Sequence, residues 1–304
     1  MYQILFDLFT AGHFVTEALK NLLKILDLEL LEQQVYLGQS LDLGFHILFG
    51  GQVLGQALIA ASRTVAPDKS IHSLHAYFLR AGNATQPLYY EVDLIRTGKS
   101  FATRRVVAKQ GGLAIFSMSA SFHHVEVGLE HQVAPMPVVP GPDGLASDQQ
   151  LMQAYYQQLP SSRREKLTAD RAIEVRVVDP VLPSNLAPKA PVRYAWIKAA
   201  GKLPADPMIH QAVLAYASDF GLAMTALQPH GRMFMDPTLQ LASLDHSMWF
   251  HRPLRADEWF LHAMESPIAG SGRGFNRGQV FTPDGVLVAS TAQEGLLRTK
   301  LPKS

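Results

Sequence analysis

The pattern of hydrophobic residues predicts three helices, one with an apolar stripe and two that are apolar on nearly every side. Leucines three or four positions apart predict a helix over residues 16–33, with Thr16 able to cap its start. Residues 53–62 and 207–227 differ from this segment because they are apolar or small on nearly every side. A helix with that composition is typical of a protein core, so both segments predict buried helices.

Short apolar and β-branched runs predict β-strands in two groups. A segment at residues 134–144 with four prolines and two glycines separates the groups and predicts a linker, followed by a short helix at 147–159. The predicted strands before the linker are 72–79, 88–96, 100–109 and 114–123. Those after it are 172–178, 193–199, 240–249, 258–266, 274–281 and 287–294.

The order of one apolar helix followed by several strands occurs twice, and parts of the two copies align. Residues 98–101 match residues 272–275 at an offset of 174, and the same offset pairs the turn glycines Gly111 and Gly285. Upstream, residues 77–80 match residues 249–252 at an offset of 172. The helix segments align at an offset of 159, which pairs Gln52 with Gln211. These three ordered blocks indicate an internal duplication.

The duplication predicts an α+β protein in which each copy wraps an antiparallel sheet around one long helix. This arrangement is a double hotdog, with two tandem repeats in one chain. We expect an appendage at residues 1–15, an N-terminal hotdog at 16–130, a linker at 131–165, and a C-terminal hotdog at 166–304 that carries the catalytic residues.

Composition narrows the function. The 304 residues contain 27 basic and 26 acidic side chains. The chain therefore lacks the basic excess that would indicate nucleic-acid binding. Without cysteine, no disulfide, cysteine zinc site or thiol nucleophile is available, and a cytoplasmic location fits. No run approaches 18 apolar residues, so no membrane span is predicted. Residues 1–15 lack the positive start of a secretory signal.

Asp219 is the first candidate for chemistry. It lies among apolar residues within the predicted helix over 207–227, where a carboxylate is costly unless it is paired or faces a cleft. The ordinary interpretation is an aspartate at a helix end that faces water. At an offset of 159 the first copy has Ala60, so the carboxylate belongs to one copy alone.

Two further polar positions stand out in the second copy. Strand alternation predicts that Ser243, Asp245 and Ser247 share one face of a strand, which could equally be a solvated sheet edge. Gln293 is flanked by small residues, which leave room for a ligand, although a surface glutamine is the commoner case. The nearest histidine pairs, at 123–124 and at 246 and 251, do not suggest a metal site.

At these residues the sequence resembles the acyl-CoA thioesterase II family of double-hotdog hydrolases. The most specific match is Leu-Asp-His-Ser-Met-Trp-Phe-His-Arg-Pro at residues 244–253. The resemblance covers roughly residues 16–298, and residues 1–15 fall outside it. The other matching runs are residues 49–57, 75–80, 98–105, 216–219, 227–231 and 286–295.

The resemblance implies a catalytic trio of Asp219, Ser243 and Gln293, where the family commonly has threonine in place of the serine. We expect hydrolysis of fatty acyl-CoA, over a broad range of medium to long chains, by direct attack of an activated water, with no cofactor and no metal. Backbone N–H groups near Gly50 and Gly51 are candidates to hold the oxyanion. A covalent role for Ser243 stays open, although the sequence places no histidine beside it.

Other functions remain to be weighed against hydrolysis. A hotdog acyl-CoA hydratase or dehydratase is one alternative, and a non-catalytic acyl-CoA sensor is another. Because hotdog sheets usually need partners to cover them, we expect a homodimer or higher homo-oligomer. The candidate cations for the CoA phosphates are Arg80, Lys99, Arg104, Arg105, Arg252 and Arg273.

Overall fold

The computed structural model describes residues 15–45 and 47–300, so the predicted appendage lies outside the described residues except for Val15. The described chain forms two units joined by two connecting helices. The first unit contains α1 (Glu17–Leu26), β1 (Glu29–Glu32), β2 (Val35–Gly38), α2 (Gly50–Ser62), β3 (Lys69–Phe78), β4 (Leu88–Thr97), β5 (Phe101–Gln110) and β6 (Leu113–His124).

Two helices connect the units, and the second unit then repeats the order of the first. The connecting helices are α3 (Asp148–Tyr156) and α4 (Ser161–Thr168). The second unit contains β7 (Ile173–Val177), β8 (Val192–Ala199), α5 (Pro207–Ser218), a 3₁₀ helix (Ala223–His230), β9 (Leu239–Ser243), β10 (Asp245–Phe250), β11 (Phe260–Gly270), β12 (Arg273–Phe281) and β13 (Leu287–Thr299).

The thirteen strands of the described residues form one sheet, and its order confirms the predicted double hotdog. The units meet where β3 pairs with β10 in antiparallel fashion, with Ala76 opposite His246. Outward from this junction the first unit runs β3-β6-β5-β4-β2-β1, and the second runs β10-β13-β12-β11-β8-β7. The strands of the two units therefore occupy the same places in the same order, as two copies of one fold must.

The core helices α2 and α5 pack against each other inside the curved sheet. A Cβ atom on Gly51 would lie 2.3 Å from the carbonyl oxygen of Tyr216, and one on Gly55 would lie 3.1 Å from that of Ala212. These contacts show that the helices run antiparallel and approach closely. Residues 51–61 of α2 are all buried, as their apolar composition predicts.

Two predicted helices end earlier than expected. The helix over residues 16–33 ends at Leu26, because the chain turns at Asp27 and continues as the β1–β2 hairpin, with Gln34 at a φ of +66°. The apolar pattern misled there because Leu30 and Leu31 are exposed on β1. The helix over 207–227 stops at Ser218, and Gly221 at a φ of +81° turns the chain into the 3₁₀ helix.

The segment between the units contains more structure than its prolines predict. Helix α3 begins with a capping box between Ser147 and Gln150, which matches the short helix expected there. Helix α4 was not predicted; its Lys166 pairs with Asp42 at 2.6 Å, and its Leu167 is buried. Among the described residues, no helix is long and apolar enough to cross a membrane.

Candidate active site

Asp219 is the residue that ends α5, and its carboxylate lies at the beginning of α2. Its side chain is 7% exposed, so the interpretation of a solvated helix-end aspartate is wrong. One carboxylate oxygen, Oδ2, accepts a hydrogen bond from the backbone N–H of Gly51 at 3.0 Å. The start of a helix carries unpaired N–H donors and a partial positive charge, and both stabilise a carboxylate.

The start of α2 depends on this contact because it has no cap of its own. Its N-cap residue, Phe49, makes no capping hydrogen bond with its side chain, so Asp219 caps the helix from 168 residues away. Glycine at position 50 leaves the space that the carboxylate needs. A Cβ atom there would lie 2.9 Å from Asp219 Oδ2 and 3.0 Å from the ring of Phe78.

Gln293 on β13 lies between the other two predicted site residues, Asp219 and Ser243, and contacts both. Its side chain is fully buried, and its amide nitrogen donates to Asp219 Oδ1 at 2.7 Å. The same nitrogen lies 3.1 Å from the Oγ of Ser243, which is half-buried at the end of β9. The structure therefore brings Asp219, Ser243 and Gln293 together in one hydrogen-bonded group.

A β-bulge at Leu244 adds a fourth side chain that sequence reasoning missed. Ser243 pairs with Gly295 and Ser247 pairs with Ala292. Between these pairs, the β9–β10 segment therefore contains one residue more than β13. The extra residue reverses the alternation of faces, so His246 points at Gln293, with its Nδ1 3.2 Å from the amide nitrogen. His246 is also 4.0 Å from Asp219 Oδ1.

The bulge also overturns the prediction that Ser243, Asp245 and Ser247 share a face. Asp245 turns away from the trio and accepts a hydrogen bond from the backbone N–H of Glu294 at 2.8 Å. Burial raises the pKa of the Asp245 carboxyl, and that hydrogen bond opposes the shift. Ser247 contacts His75 on β3 at 3.1 Å, so neither residue joins the candidate site.

Further buried polar groups line the sheet behind Gln293. His262 on β11 bonds to Thr291 Oγ1 at 3.0 Å, and burial lowers the pKa of His262 to about 3. Gly278 leaves room for it, because a Cβ atom there would lie 2.3 Å from the imidazole. Asn276 donates to the backbone oxygen of Gly274 at 3.1 Å. These groups are uncharged at neutral pH.

Comparison with known proteins shows the family to which this chain belongs. A family model described as acyl-CoA thioesterase matches residues 163–296, and one described as acyl-CoA thioesterase N-terminal domain matches residues 40–123. The chain is 42% identical to acyl-CoA thioesterase 2 of Haemophilus influenzae, over 93% of this chain and 99% of that protein. It belongs to the acyl-CoA thioesterase family.

Other members of the family and a solved structure support the assignment over the full fold. Human acyl-coenzyme A thioesterase 8 is 40% identical over 91% of this chain and 88% of its own. The crystal structure of the acyl-CoA thioesterase II TesB2 from Mycobacterium marinum superposes with a TM-score of 0.75 at 42% identity. That alignment covers 93% of this thioesterase and all of the solved chain.

The structure corrects the set of basic residues that the sequence predicted to bind the CoA phosphates. Arg104 is 1% exposed, and its guanidinium is held inside the protein by Thr64 Oγ1 at 2.8 Å and the Arg96 carbonyl at 2.7 Å. It is a structural residue. Three of the other candidates form ion pairs on the surface: Arg105 with Asp93, Arg252 with Glu130, and Arg273 with Glu294.

Proposed function

We propose that this protein hydrolyses the thioester of fatty acyl-CoA by direct attack of a water molecule that Asp219 orients and deprotonates. The observation that carries the proposal is the hydrogen-bonded group of Asp219, Ser243 and Gln293 at the start of α2. A carboxylate held by two donors is fixed in position, and it keeps lone pairs free to accept a proton from water.

The proposed reaction has two steps. The water oxygen bonds to the thioester carbon while one of its protons moves to the Asp219 carboxylate, which leaves a tetrahedral oxyanion. The oxyanion then collapses, the carbon–sulfur bond breaks, and the CoA thiolate takes the proton from Asp219. The products are a free fatty acid and CoA, and the enzyme returns to its starting state without a covalent intermediate.

Ser243 supports this reaction in one of two ways. Its Oγ lies 3.1 Å from the Gln293 amide nitrogen, and its hydroxyl hydrogen can be donated to the attacking water or to the thioester oxygen. The Gly51 N–H, one candidate for the oxyanion, already serves Asp219. Its role here is to hold the carboxylate.

Aromatic side chains beside the trio support a fatty acyl substrate. Phe49 stacks on Phe220 with ring centres 4.7 Å apart, and it contacts the edge of Tyr216 at 5.1 Å. Phe78 lies against the position of Gly50, next to the Asp219 carboxylate. These rings form an apolar wall on which the methylene groups of a medium or long chain would be buried favourably.

We propose a cytoplasmic location, which the absence of cysteine supports, and assembly into a homodimer or higher homo-oligomer. The support for assembly is the set of large side chains exposed on the outer face of the sheet, including Tyr77, Phe101 and Ile268. Light scattering on the purified protein tests the assembly: a mass of one chain at micromolar concentration would contradict it.

A thiol-release assay tests the proposed reaction. The purified protein is mixed with short-, medium- and long-chain acyl-CoA, and free CoA is measured with a thiol reagent. We expect CoA release that rises from short to medium or long chains. A thioether analogue of acyl-CoA serves as the control, because it fits the same site and releases no thiol. Absence of CoA at every chain length would contradict the proposal.

The alternatives are not favoured. A hydratase or dehydratase acts on the acyl chain and leaves the thioester intact, whereas the relatives at 40–42% identity are named thioesterases. A non-catalytic sensor needs no ordered carboxylate, hydroxyl and amide, and here all three are present and joined by hydrogen bonds.

A further inference from the structure

His246 lies between Gln293 and a serine that the trio does not include. Its side chain is fully buried, with Nδ1 3.2 Å from the Gln293 amide nitrogen and Nε2 2.9 Å from the Oγ of Ser218. The Ser218 hydroxyl lies 2.8 Å from the backbone carbonyl of Ala215, one turn earlier in α5. These contacts form a continuous chain from the α5 backbone to Gln293.

The direction of each hydrogen bond in this chain follows from its backbone end. A carbonyl accepts only, so the single Ser218 hydroxyl hydrogen goes to Ala215, and Ser218 Oγ accepts from His246. The imidazole therefore carries its hydrogen on Nε2. Burial lowers the pKa of His246, although the Asp219 carboxylate opposes the shift, so the ring is neutral and Nδ1 is left as an acceptor.

The acceptor at Nδ1 fixes the orientation of the Gln293 amide. The NH₂ group of Gln293 faces Asp219 Oδ1 at 2.7 Å and His246 Nδ1 at 3.2 Å. If the amide were flipped, its carbonyl oxygen would face the carboxylate and a second acceptor. The opposite histidine tautomer would instead place an N–H against the NH₂ group. Either change would break the bond that holds Asp219.

We propose that His246 and Ser218 are positioning residues of the thioesterase, which lock the Gln293 amide so that its NH₂ group holds the Asp219 carboxylate. This inference rests on the proposed function, since positioning matters only if Asp219 acts on the substrate. Neither residue touches the reacting atoms. Their effect on hydrolysis passes through Gln293.

Ser218, His246 and Asp219 are the residue types of a Ser–His–Asp catalytic triad, but their geometry argues against one. Ser218 is 1% exposed, and its hydroxyl hydrogen is committed to the Ala215 carbonyl, so it does not face a substrate. The distance from His246 Nδ1 to Asp219 Oδ1 is 4.0 Å, beyond a hydrogen bond. The Gln293 amide nitrogen lies within bonding distance of both.

The kinetic test uses Ser218→Ala, which frees the imidazole to change tautomer. We expect kcat to fall about 10- to 100-fold while KM changes by less than about three-fold, because misplaced catalytic groups lose transition-state contacts. Ser266→Ala is the matched control, since its buried hydroxyl also donates to a backbone carbonyl, that of Phe275 at 2.7 Å, outside this chain of hydrogen bonds. Equal kcat in the two variants would overturn the proposal.

His246 supplies a second pair of variants. His246→Asn keeps an acceptor near Gln293 and should retain more activity than His246→Leu, which removes both ring nitrogens. Leucine is a fair test of folding because the first unit has buried Leu74 at the equivalent strand position. Retention of full kcat by His246→Leu would contradict positioning, and an acyl group trapped on Ser218 would show a triad instead.

A spectroscopic measurement separates this proposal from the proposed function. Nitrogen NMR of histidine-labelled wild-type protein should show His246 as a neutral ring with hydrogen on Nε2 only, and the signal should change in Ser218→Ala. Hydrogen on Nδ1 in the wild type would overturn the positioning role even if the enzyme is active. Failure of CoA release with the expected tautomer would count against the proposed function alone.

Discussion

The two units share one fold, yet the equivalent positions hold opposite kinds of side chain. By strand register, Ile71 and Leu74 on β3 and Ala120 on β6 occupy the places that Ser243, His246 and Gln293 occupy in the second unit. The first-unit residues are apolar and buried. Both copies even contain a bulge, with His72 placed as Leu244 is. The two copies therefore differ by a few polar residues on an unchanged frame, and we propose that these residues make the second unit reactive.

The helix ends differ in the same instructive way. Helix α5 is capped locally by Asp206, which accepts from the N–H of Met208 at 2.9 Å. Helix α2 is capped by Asp219 of the other unit. The residue just after α2 is Arg63, which pairs with Asp27 at 2.7 Å, whereas the residue just after α5 is Asp219. The Asp219 carboxylate thus belongs to the second unit and is held by the first.

The largest predicted effect comes from Asp219→Asn, which removes the proton acceptor. An asparagine oxygen still accepts from Gly51, so we expect the fold to persist and kcat to fall by about a thousand-fold. Asp219→Ala should be equally inactive and in addition less stable by about 1 kcal/mol, because the cap of α2 is lost. Thiol release measures the first effect, and urea unfolding the second.

Asp206 provides the matched control for this pair. Asp206→Asn and Asp206→Ala make the same chemical changes at the cap of α5, where no reaction takes place. We expect both to keep wild-type kcat, with the alanine variant again less stable by about 1 kcal/mol. Wild-type activity in Asp219→Asn would remove Asp219 from the mechanism and with it the functional difference between the units.

Ser243 should show a smaller effect. Ser243→Ala removes a hydroxyl from the site and is expected to lower kcat about 100-fold. Ser243→Thr keeps the hydroxyl and stiffens its rotamer, so kcat should be at least that of the wild type. Steady-state kinetics on the pair decides the matter. Equal activity in the alanine and threonine variants would show that the hydroxyl has no part in the reaction.

The third effect concerns stability and depends on pH. Above pH 6.5, His262 is neutral in both the folded and the unfolded protein. Between pH 6.5 and about pH 3, His262 is protonated in the unfolded chain and neutral in the folded protein. The free energy of unfolding therefore falls by about 1.4 kcal/mol for each unit by which the pH is lowered in this range. His246 and Arg193 are the charged or titratable neighbours that reinforce the low pKa.

Urea unfolding of His262→Gln at several pH values measures this contribution. We expect the variant to lose stability less steeply than the wild type between pH 6.5 and 4, because glutamine does not titrate. Identical slopes in His262→Gln and the wild type would show that His262 takes up its proton freely in the folded state.

The core of the fold was predictable from sequence because buried segments consist almost entirely of apolar and small residues. The small, apolar run of α2 predicted a helix enclosed on all sides, and the paired glycines at 111 and 285 predicted equivalent turns. The trio was identified through the family resemblance, since only that related Asp219 to Ser243 and Gln293. Periodicity alone left each of them open to an ordinary structural interpretation.

What could not be predicted depends on contacts between distant residues. Helix α5 ends at Ser218, and the next residue, Asp219, caps α2, which lies 168 residues earlier in the chain. The bulge at Leu244 adds a single residue, which strand alternation does not reveal, and it moved His246 into the site and Asp245 out of it.

The proposed mechanism requires that water attacks the thioester directly under the control of Asp219. Rapid-quench kinetics with a medium-chain acyl-CoA, combined with mass spectrometry of the intact protein, tests it most directly. We predict that CoA and fatty acid appear together from the first turnover and that the protein mass never changes. A burst of CoA ahead of the acid, with an acyl group on Ser243, Ser218 or Asp219, would contradict it.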